Sequence, residues 1–318
     1  MRILITGVHG FVGTNLVEAL KDSHTIYGLD IVAPDKEGVK KTYSWDDLDN
    51  GIVPEVDAII HLAGKAHDTK NISAADIYFK VNTELTKKIF SYFSGQTNIR
   101  KFIFFSSVKA AVDKVPGDIL TEDVTPCPVG PYGESKVQAE EYILGELKTH
   151  AAAYKSRDVI ILRPCMIHGP GNKGNLNLLY GFVKKGLPWP LGAFDNRRTF
   201  TSIDNLTFII SCLLTKTVDS GIYNMADDKA LSTNELIEVM CRAMGKKAHI
   251  CNIGRNFIKF FAKIGDILHL PLNSFRLDKL TENYVVSNAK IKKALEIEAM
   301  PVDACDGLTK TIQSFQNQ

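Results

Sequence analysis

A doubly wound parallel α/β sheet joined to a smaller, mostly helical C-terminal domain is the fold class this sequence predicts. Three observations carry it. Short, almost wholly apolar runs recur through the first half of the chain between helical patterns, and such runs belong to parallel strands covered on both faces. A glycine-rich turn, Gly7-Val8-His9-Gly10-Phe11-Val12-Gly13, joins the first run to the first helix. Past Arg163-Pro164 the alternation gives way to loop-rich and then helical sequence.

In chain order, Arg2 to Thr6 reads as the first strand and Phe11 to Lys21 as an amphipathic helix. Thr25 to Asp30 is the second strand, Val39 to Tyr43 a weak third, Asp57 to Leu62 a fourth, Lys101 to Ser107 a fifth and Val159 to Leu162 a sixth. Helical patterns fill about residues 74–94 and 131–153, and strand–helix alternation of this kind implies a doubly wound sheet. The stretch from Cys165 to Arg198 is rich in Gly, Pro and Asn, and helical patterns follow near 203–216, 232–244, 255–268 and 303–315. The expected division is 1–168 and 169–318, with short strands such as Ile222 to Asn224 returning to the first unit.

The bulk composition narrows the function classes. A formal net charge of +2 over 318 residues gives no electrostatic reason to expect a nucleic-acid partner. No apolar run is long enough to cross a bilayer, and the opening Met1-Arg2-Ile3-Leu4-Ile5 reads as a buried strand, not a signal peptide. A cytoplasmic protein with no membrane partner is expected. The six cysteines, at 127, 165, 212, 241, 251 and 305, form no Cys-x-x-Cys pair, so no metal or redox site is expected.

Gly7, Gly10 and Gly13 stand where a strand turns into a helix. Such a turn lets the backbone approach a pyrophosphate, and the helix aims free N–H groups and a positive dipole end at it. Gly7, Gly10, Phe11, Val12 and Gly13 are therefore the expected pyrophosphate contacts. Asp30 ends the second strand about twenty residues on, where a carboxylate accepts hydrogen bonds from an adenosine ribose. It would repel a 2′-phosphate, so NAD is expected over NADP. The competing reading of Asp30 is an ordinary strand-end turn residue.

Tyr132 and Lys136 are four residues apart, so a helix puts them on one face, and Pro131 suits that helix's start. A free tyrosine titrates near ~10 and is a weak base at neutral pH. A neighbouring ammonium and a nicotinamide cation would lower it. Ser107 ends the fifth strand, at the edge of a parallel sheet where ligands bind. Its hydroxyl can hold a reacting oxygen and relay a proton to the tyrosine. Tyr-x-x-x-Lys alone recurs by chance; Ser107, Tyr132 and Lys136 in this order, behind a glycine turn, point to hydride transfer.

The sequence resembles the extended short-chain dehydrogenase/reductases, in particular their nucleotide-sugar epimerase/dehydratase group. The resemblance rests on Gly7/Gly10/Gly13, Asp30, Asp57 to Ala63, Val81-Asn82, Ser106-Ser107, Tyr132/Lys136, Arg163-Pro164, His168-Gly169-Pro170-Gly171 and Arg197-Arg198-Thr199-Phe200. It implies that Leu62, Ala63 and Gly64 line the dinucleotide site with Asn82 and Ser106 nearby, and that Lys136 holds the nicotinamide ribose. It implies that Asn175 and Arg198 hold the substrate's diphosphate, with Arg276 as a further phosphate contact and Ser107 against the sugar. Arg197 and Arg198 are left open as to which points inward. Three departures matter: Ser44-Trp45 near where relatives place an acid against adenine, Met166 where sugar epimerases often have asparagine, and Val108-Lys109 where dehydratases carry an acidic pair. The last argues against a 4,6-dehydratase. His67 and Lys65 follow the fourth strand and are not placed in the site.

The reaction the resemblance implies first is NAD-dependent 4-epimerisation of a UDP-hexose or UDP-N-acetylhexosamine through a 4-keto intermediate. The alternative is a 4-keto reductase acting on a UDP-4-keto-6-deoxy-hexosamine, since the Arg197-Arg198 loop and Ser106-Ser107-Val108-Lys109 look like a surface-polysaccharide branch that holds both. A non-catalytic dinucleotide sensor would have lost Tyr132 or Lys136, and both are present. The resemblance also implies a homodimer, with the helix of Tyr132 and the helix near 74–94 meeting their copies across a two-fold axis.

Overall fold

The computed structural model describes residues 1–65, 74–172, 174–268 and 273–316, with Asn175 placed by its backbone alone. Strand β1 (Arg2–Thr6) has Ile3, Leu4 and Ile5 completely buried, which requires cover on both faces. The chain continues through α1 (Phe11–Leu20), β2 (Thr25–Leu29), β3 (Val39–Tyr43), α2 (Trp45–Asp49) and β4 (Ala58–His61). α3 (Ala75–Tyr78) passes through a π-helical turn, Phe79–Glu84, into α4 (Leu85–Gly95). β5 (Lys101–Phe105), α5 (Val108–Ala111), α6 (Pro131–Thr149), α7 (Ala151–Tyr154) and β6 (Asp158–Pro164) complete the first half. Then come β7 (Met166–His168), α8 (Asn175–Lys184), β8 (Phe200–Ser202), α9 (Ile203–Thr215), β9 (Gly221–Met225) and α10 (Thr233–Ala243). The last helices are α11 (Arg255–Leu268), α12 (Ser274–Thr281), α13 (Ala289–Leu295) and α14 (Ala304–Gln316).

Seven strands form one sheet in the order β3-β2-β1-β4-β5-β6-β9, all paired in parallel. Alternate residues serve opposite faces. Ile3, Ile5, Ile60 and Ile103 pack with α1 and α9, while Leu4, Ile59, Phe102 and Phe104 pack with α4 and α6. The strand order reverses between β1 and β4, and in such sheets the crevice at that reversal takes the ligand. The doubly wound fold predicted above is therefore present.

All six predicted strands are found, and Ile222 to Asn224 lies inside β9, the seventh strand beside β6. α9 and α13 also pack on the sheet core through Leu206, Ile210, Ile291 and Leu295. A second core gathers Leu176, Tyr180, Trp189, Leu236, Met240 and Phe315 from α8, α10, α14 and the loop between α8 and β8. The sequence reading missed α8, inside the Gly-, Pro- and Asn-rich stretch, and the pair β7–β8. Strands of three residues are too short to show a period.

The glycine turn is fixed by close backbone approach. Gly7 has φ of +69°, and a Cβ there would lie 2.9 Å from the Ala63 nitrogen. A Cβ on Gly13 would lie 2.5 Å from the Gly7 oxygen and 2.7 Å from that of Val8. Backbone cannot retreat as a side chain can, so Gly13→Ala should lower unfolding free energy by about 2 kcal/mol. Gly145→Ala, where nothing lies within 4 Å of the new methyl, should instead gain up to about 1 kcal/mol as a mid-helix substitution. Denaturant melts of both variants check the pair.

Candidate active site

Helix α6 begins with Pro131 and turns an unusual stripe inward: Gly133, Ser135, Lys136, Ala139 and Glu140 are buried. Tyr132, Lys136 and Glu140 follow one another at four-residue spacing on one face. A Cβ on Gly133 would lie 2.5 Å from the Lys109 oxygen, so only glycine lets α5 press against the start of α6. That contact delivers Ser107, which caps α5 by accepting the Lys109 N–H at 3.2 Å, into hydrogen-bonding contact with Tyr132. Tyr78 meets the Tyr132 ring edge-on at 6.3 Å.

Lys136 Nζ donates to the Phe105 carbonyl at 2.8 Å. Burial lowers its pKa to about 8, against the opposing charge of Glu140. Burial also raises the Tyr132 pKa above its ordinary value, and the Ser107 hydrogen bond only partly opposes this. The lowering expected from the sequence is thus not supplied by the chain's own groups. The physical reason is that phenolate is poorly solvated there and the lysine ammonium is turned to a carbonyl. Glu140, absent from the predicted site, accepts from Ser106 Oγ and from Arg163 at 2.9 and 2.5 Å. It stands one helical turn past Lys136, a spacing that places it on the same face but does not report its burial.

A buried polar chain ties this helix to the sheet reversal. Thr6 Oγ1 meets His61 Nδ1 at 2.7 Å, and His61 Nε2 meets Thr86 Oγ1 at 2.9 Å. Thr86 donates to the Asn82 carbonyl at 2.6 Å, and Asn82 Nδ2 donates to Ser135 Oγ at 3.0 Å. Asn82 sits in the π-helical turn, a distortion that recurs at functional sites. Its Oδ1 accepts from the Lys65 N–H at 2.7 Å. The Ala63 N–H donates to Thr6 Oγ1 at 3.0 Å, and the Leu62 N–H to the Thr6 carbonyl at 3.2 Å. A Cβ on Gly64 would lie 2.9 Å from Asn82 Oδ1 and 3.2 Å from Lys136 Nζ. Leu62, Ala63, Gly64, Asn82 and Lys136 therefore converge.

The glycine turn faces the same crevice. Gly10 is the N-cap of α1 and no side chain caps that end, which leaves first-turn N–H groups at Phe11, Val12 and Gly13 without intrahelical partners. Asp30, just past β2, accepts from the His9 N–H at 3.1 Å and from the Ile31 N–H at 2.7 Å. Lys36 Nζ reaches Thr14 Oγ1 at 2.7 Å beside it.

Arg197 and Arg198 diverge. Arg197 is half exposed and pairs outward with Glu235 at 2.9 Å. Arg198 turns inward, donating to the Lys279 carbonyl at 2.8 Å and lying 4.0 Å from Glu282. Lys279 pairs with Asp113 at 3.1 Å, and Asp113 pairs with Lys109 at 3.1 Å. A mixed-charge cluster thus links Arg198 to the loop that carries Ser107. Tyr284 staples it from below, donating to the Val108 and Val112 carbonyls at 3.1 and 2.8 Å. Arg276 lies exposed on α12, its N–H bonded to Asn273 Oδ1 at 2.9 Å. Asn175 opens α8, and its side chain lies outside the described residues, as does His67. Among the described residues no group of His, Cys, Asp or Glu could hold a metal ion.

A parallel sheet with a glycine turn at its reversal, and Ser107, Tyr132 and Lys136 at its carboxyl edge, define an extended short-chain dehydrogenase/reductase. More narrowly, the chain belongs to the NAD dependent epimerase/dehydratase family, whose model matches residues 3–226. A UDP-glucose 4-epimerase of Vibrio cholerae is 29% identical over 98% of this chain and 95% of its own length. An N-acetyl-α-D-glucosaminyl-diphospho-ditrans,octacis-undecaprenol 4-epimerase of Escherichia coli O157:H7 is 27% identical, covering 92% of this chain and 85% of that protein. Among solved structures, the UDP-N-acetylglucosamine 4-epimerase of Methanobrevibacter ruminantium superposes with a TM-score of 0.76 at 19% identity, covering 100% of this chain and 98% of that one. At that identity the likeness is one of fold.

His61 is fully buried and its pKa falls to about 3, through desolvation first and the Lys136 charge second. An unfolded histidine takes its proton near about 6.5. Below that pH the unfolded chain binds more protons than the folded one, so stability present above pH ~6.5 is lost as the pH falls towards ~3. His61→Gln removes this dependence. The melting-temperature gap between wild type and variant should be widest above neutrality and narrow through that window.

Proposed function

We propose that the protein interconverts the C4 epimers of a UDP-hexose or UDP-N-acetylhexosamine with NAD held along the glycine turn. One observation carries the reading: in a chain of this family, Ser107 hydrogen-bonds Tyr132 while Lys136 lies against Gly64 and Asn82, and no acidic pair follows Ser107. The names of the two relatives support the same reaction.

The residues present fit a dinucleotide. The N–H groups of Phe11, Val12 and Gly13 suit a pyrophosphate, at a turn that Gly7, Gly10 and Gly13 keep tight against backbone. Asp30 suits an adenosine ribose, and Leu62, Ala63, Gly64, Asn82 and Ser106 line the rest. NAD supplies a reversible hydride acceptor there. Tyr132 takes the proton of the sugar's C4 hydroxyl through its contact with Ser107 and returns it after the 4-keto sugar has turned over. Lys136 orients the nicotinamide ribose. Burial disfavours the Tyr132 phenolate that this step needs, so the residue would act as base only beside a cation such as bound nicotinamide.

Arg198, with Asn175 and Arg276, holds the diphosphate, a planar guanidinium fork being suited to phosphate oxygens. Residues 1–168 form the dinucleotide unit and 169–318 the substrate unit, with α9, β9 and α13 packed back on the sheet. The family reading takes the protein as a cytoplasmic homodimer through α4 and α6.

Proton NMR of purified protein with UDP-N-acetylglucosamine and no added nucleotide should show the galacto epimer. Tyr132→Phe should cut that rate by about 10²–10⁴-fold while NAD still binds. No epimer, together with steady NADH consumption on a UDP-4-keto-6-deoxy-hexosamine, would replace the reading by a 4-keto reductase. Arg198→Ala should raise KM for the nucleotide sugar by about tenfold or more, and Arg197→Ala, which loses a solvated pair, should change it little.

A further inference from the structure

Helix α11 has three faces, separated by about 100° per residue. Ile258, Ala262 and Gly265 are buried against the second core. Next round the helix come Arg255, Lys259 and Lys263, all exposed. The remaining face carries Phe257, Phe260, Phe261, Ile267 and Leu268, which are 47% to 76% exposed. The rings of Phe257 and Phe261 lie 4.7 Å apart and those of Phe260 and Phe261 5.8 Å apart, so the stripe is continuous. Phe275 on α12, which packs against α11, is 69% exposed. Every exposed phenylalanine among the described residues falls in this stretch.

A helix that only stabilised the fold would bury its aromatics and expose its small residues. This one does the reverse, and an apolar surface of this kind marks a contact. The flanking charges choose the partner. A second copy would bring the same three cations and only one acid on this helix to meet them. An anionic lipid surface neutralises them. The one acid of the helix, Asp266, accepts the Ser274 N–H at 2.9 Å. We propose that α11 is an interfacial helix that lays its phenylalanine stripe on an anionic bilayer, with Lys259 and Lys263 at the headgroups. Such a helix combines an apolar face with a basic one and needs no spanning length, so the expectation of no membrane partner, drawn from the lack of a long apolar run, does not bear on it. Lys279 lies 6.0 Å from the Phe275 ring and pairs with Asp113, so this surface adjoins the charged cluster around Arg198.

The full-length protein is floated with vesicles of phosphatidylcholine containing phosphatidylglycerol, and with phosphatidylcholine alone. Binding to the mixed vesicles, weakened by salt, is expected. Phe257→Ser/Phe260→Ser/Phe261→Ser should lower the partition coefficient by about 100-fold, and Lys259→Gln/Lys263→Gln by about fivefold per charge. Turnover of a soluble nucleotide sugar should be unchanged in both variants, which also reports that they fold. Failure to float with either vesicle would overturn the proposal. So would light scattering that shows a dimer converted to monomer by the serine variant, since the stripe would then join two copies.

Discussion

The inward stripe of α6 is the constraint on which the rest of the site depends. A helix that buries Ser135, Lys136 and Glu140 must find a partner for each, because an unpaired polar group away from water costs more than a hydrogen bond gains. The sheet and the π-helical turn before α4 supply them. Asn82 serves Ser135, the Phe105 carbonyl receives Lys136, and Arg163 with Ser106 completes Glu140. Those partners come from the π-helical turn, from β6 and from the end of β5, so the register of the sheet and the position of α6 are set together. The buried chain from Thr6 through His61 and Thr86 extends the same requirement to β1. A neutral His61 is the joint: Thr86 Oγ1 gives its hydrogen to the Asn82 carbonyl, so His61 Nε2–H donates to Thr86 while Nδ1 accepts from Thr6 Oγ1.

Much of this was legible in the sequence, and the reasons differ by element. The strands of the first half announce themselves because burial on both faces forces continuous apolar runs, and Ile3, Leu4 and Ile5 show the consequence. The glycines at 7, 10 and 13 and the Tyr132/Lys136 pair are visible because their spacing is fixed by local geometry. Glu140 continues the Tyr132–Lys136 interval, but a glutamate on a helix is usually solvated. Its burial depends on Arg163, 23 residues away in sequence, and no local pattern reports a pairing of that range.

The arginine pair shows the same limit at higher resolution. Neighbouring residues in an extended segment point to opposite sides, so the sequence fixes that Arg197 and Arg198 diverge but not which one turns inward. The choice is made by Arg198 exchanging backbone hydrogen bonds with Leu231, at 2.9 and 2.8 Å, which places its side chain against Lys279 and Glu282. Arg197 is left to Glu235 at the surface. The inward cluster of Lys109, Asp113, Lys279, Glu282 and Arg198 draws on three separate stretches of chain. Its cations are held in place by its acids, so the arrangement of the cluster is set mainly by the fold.

Helix α11 marks where periodicity stops being informative. Its apolar residues recur at helical spacing, and the sequence shows a helical pattern near 255–268. Spacing shows that an apolar stripe exists, not which side of the helix meets the protein. Here the fold buries Ile258 with the small Ala262 and Gly265, and leaves three phenylalanines with Ile267 and Leu268 outside. The cations lie between the two apolar faces, where neither the core nor a second copy would favour them. Composition alone distinguishes the faces once the buried one is known, because residues chosen for packing and residues chosen for contact differ in size.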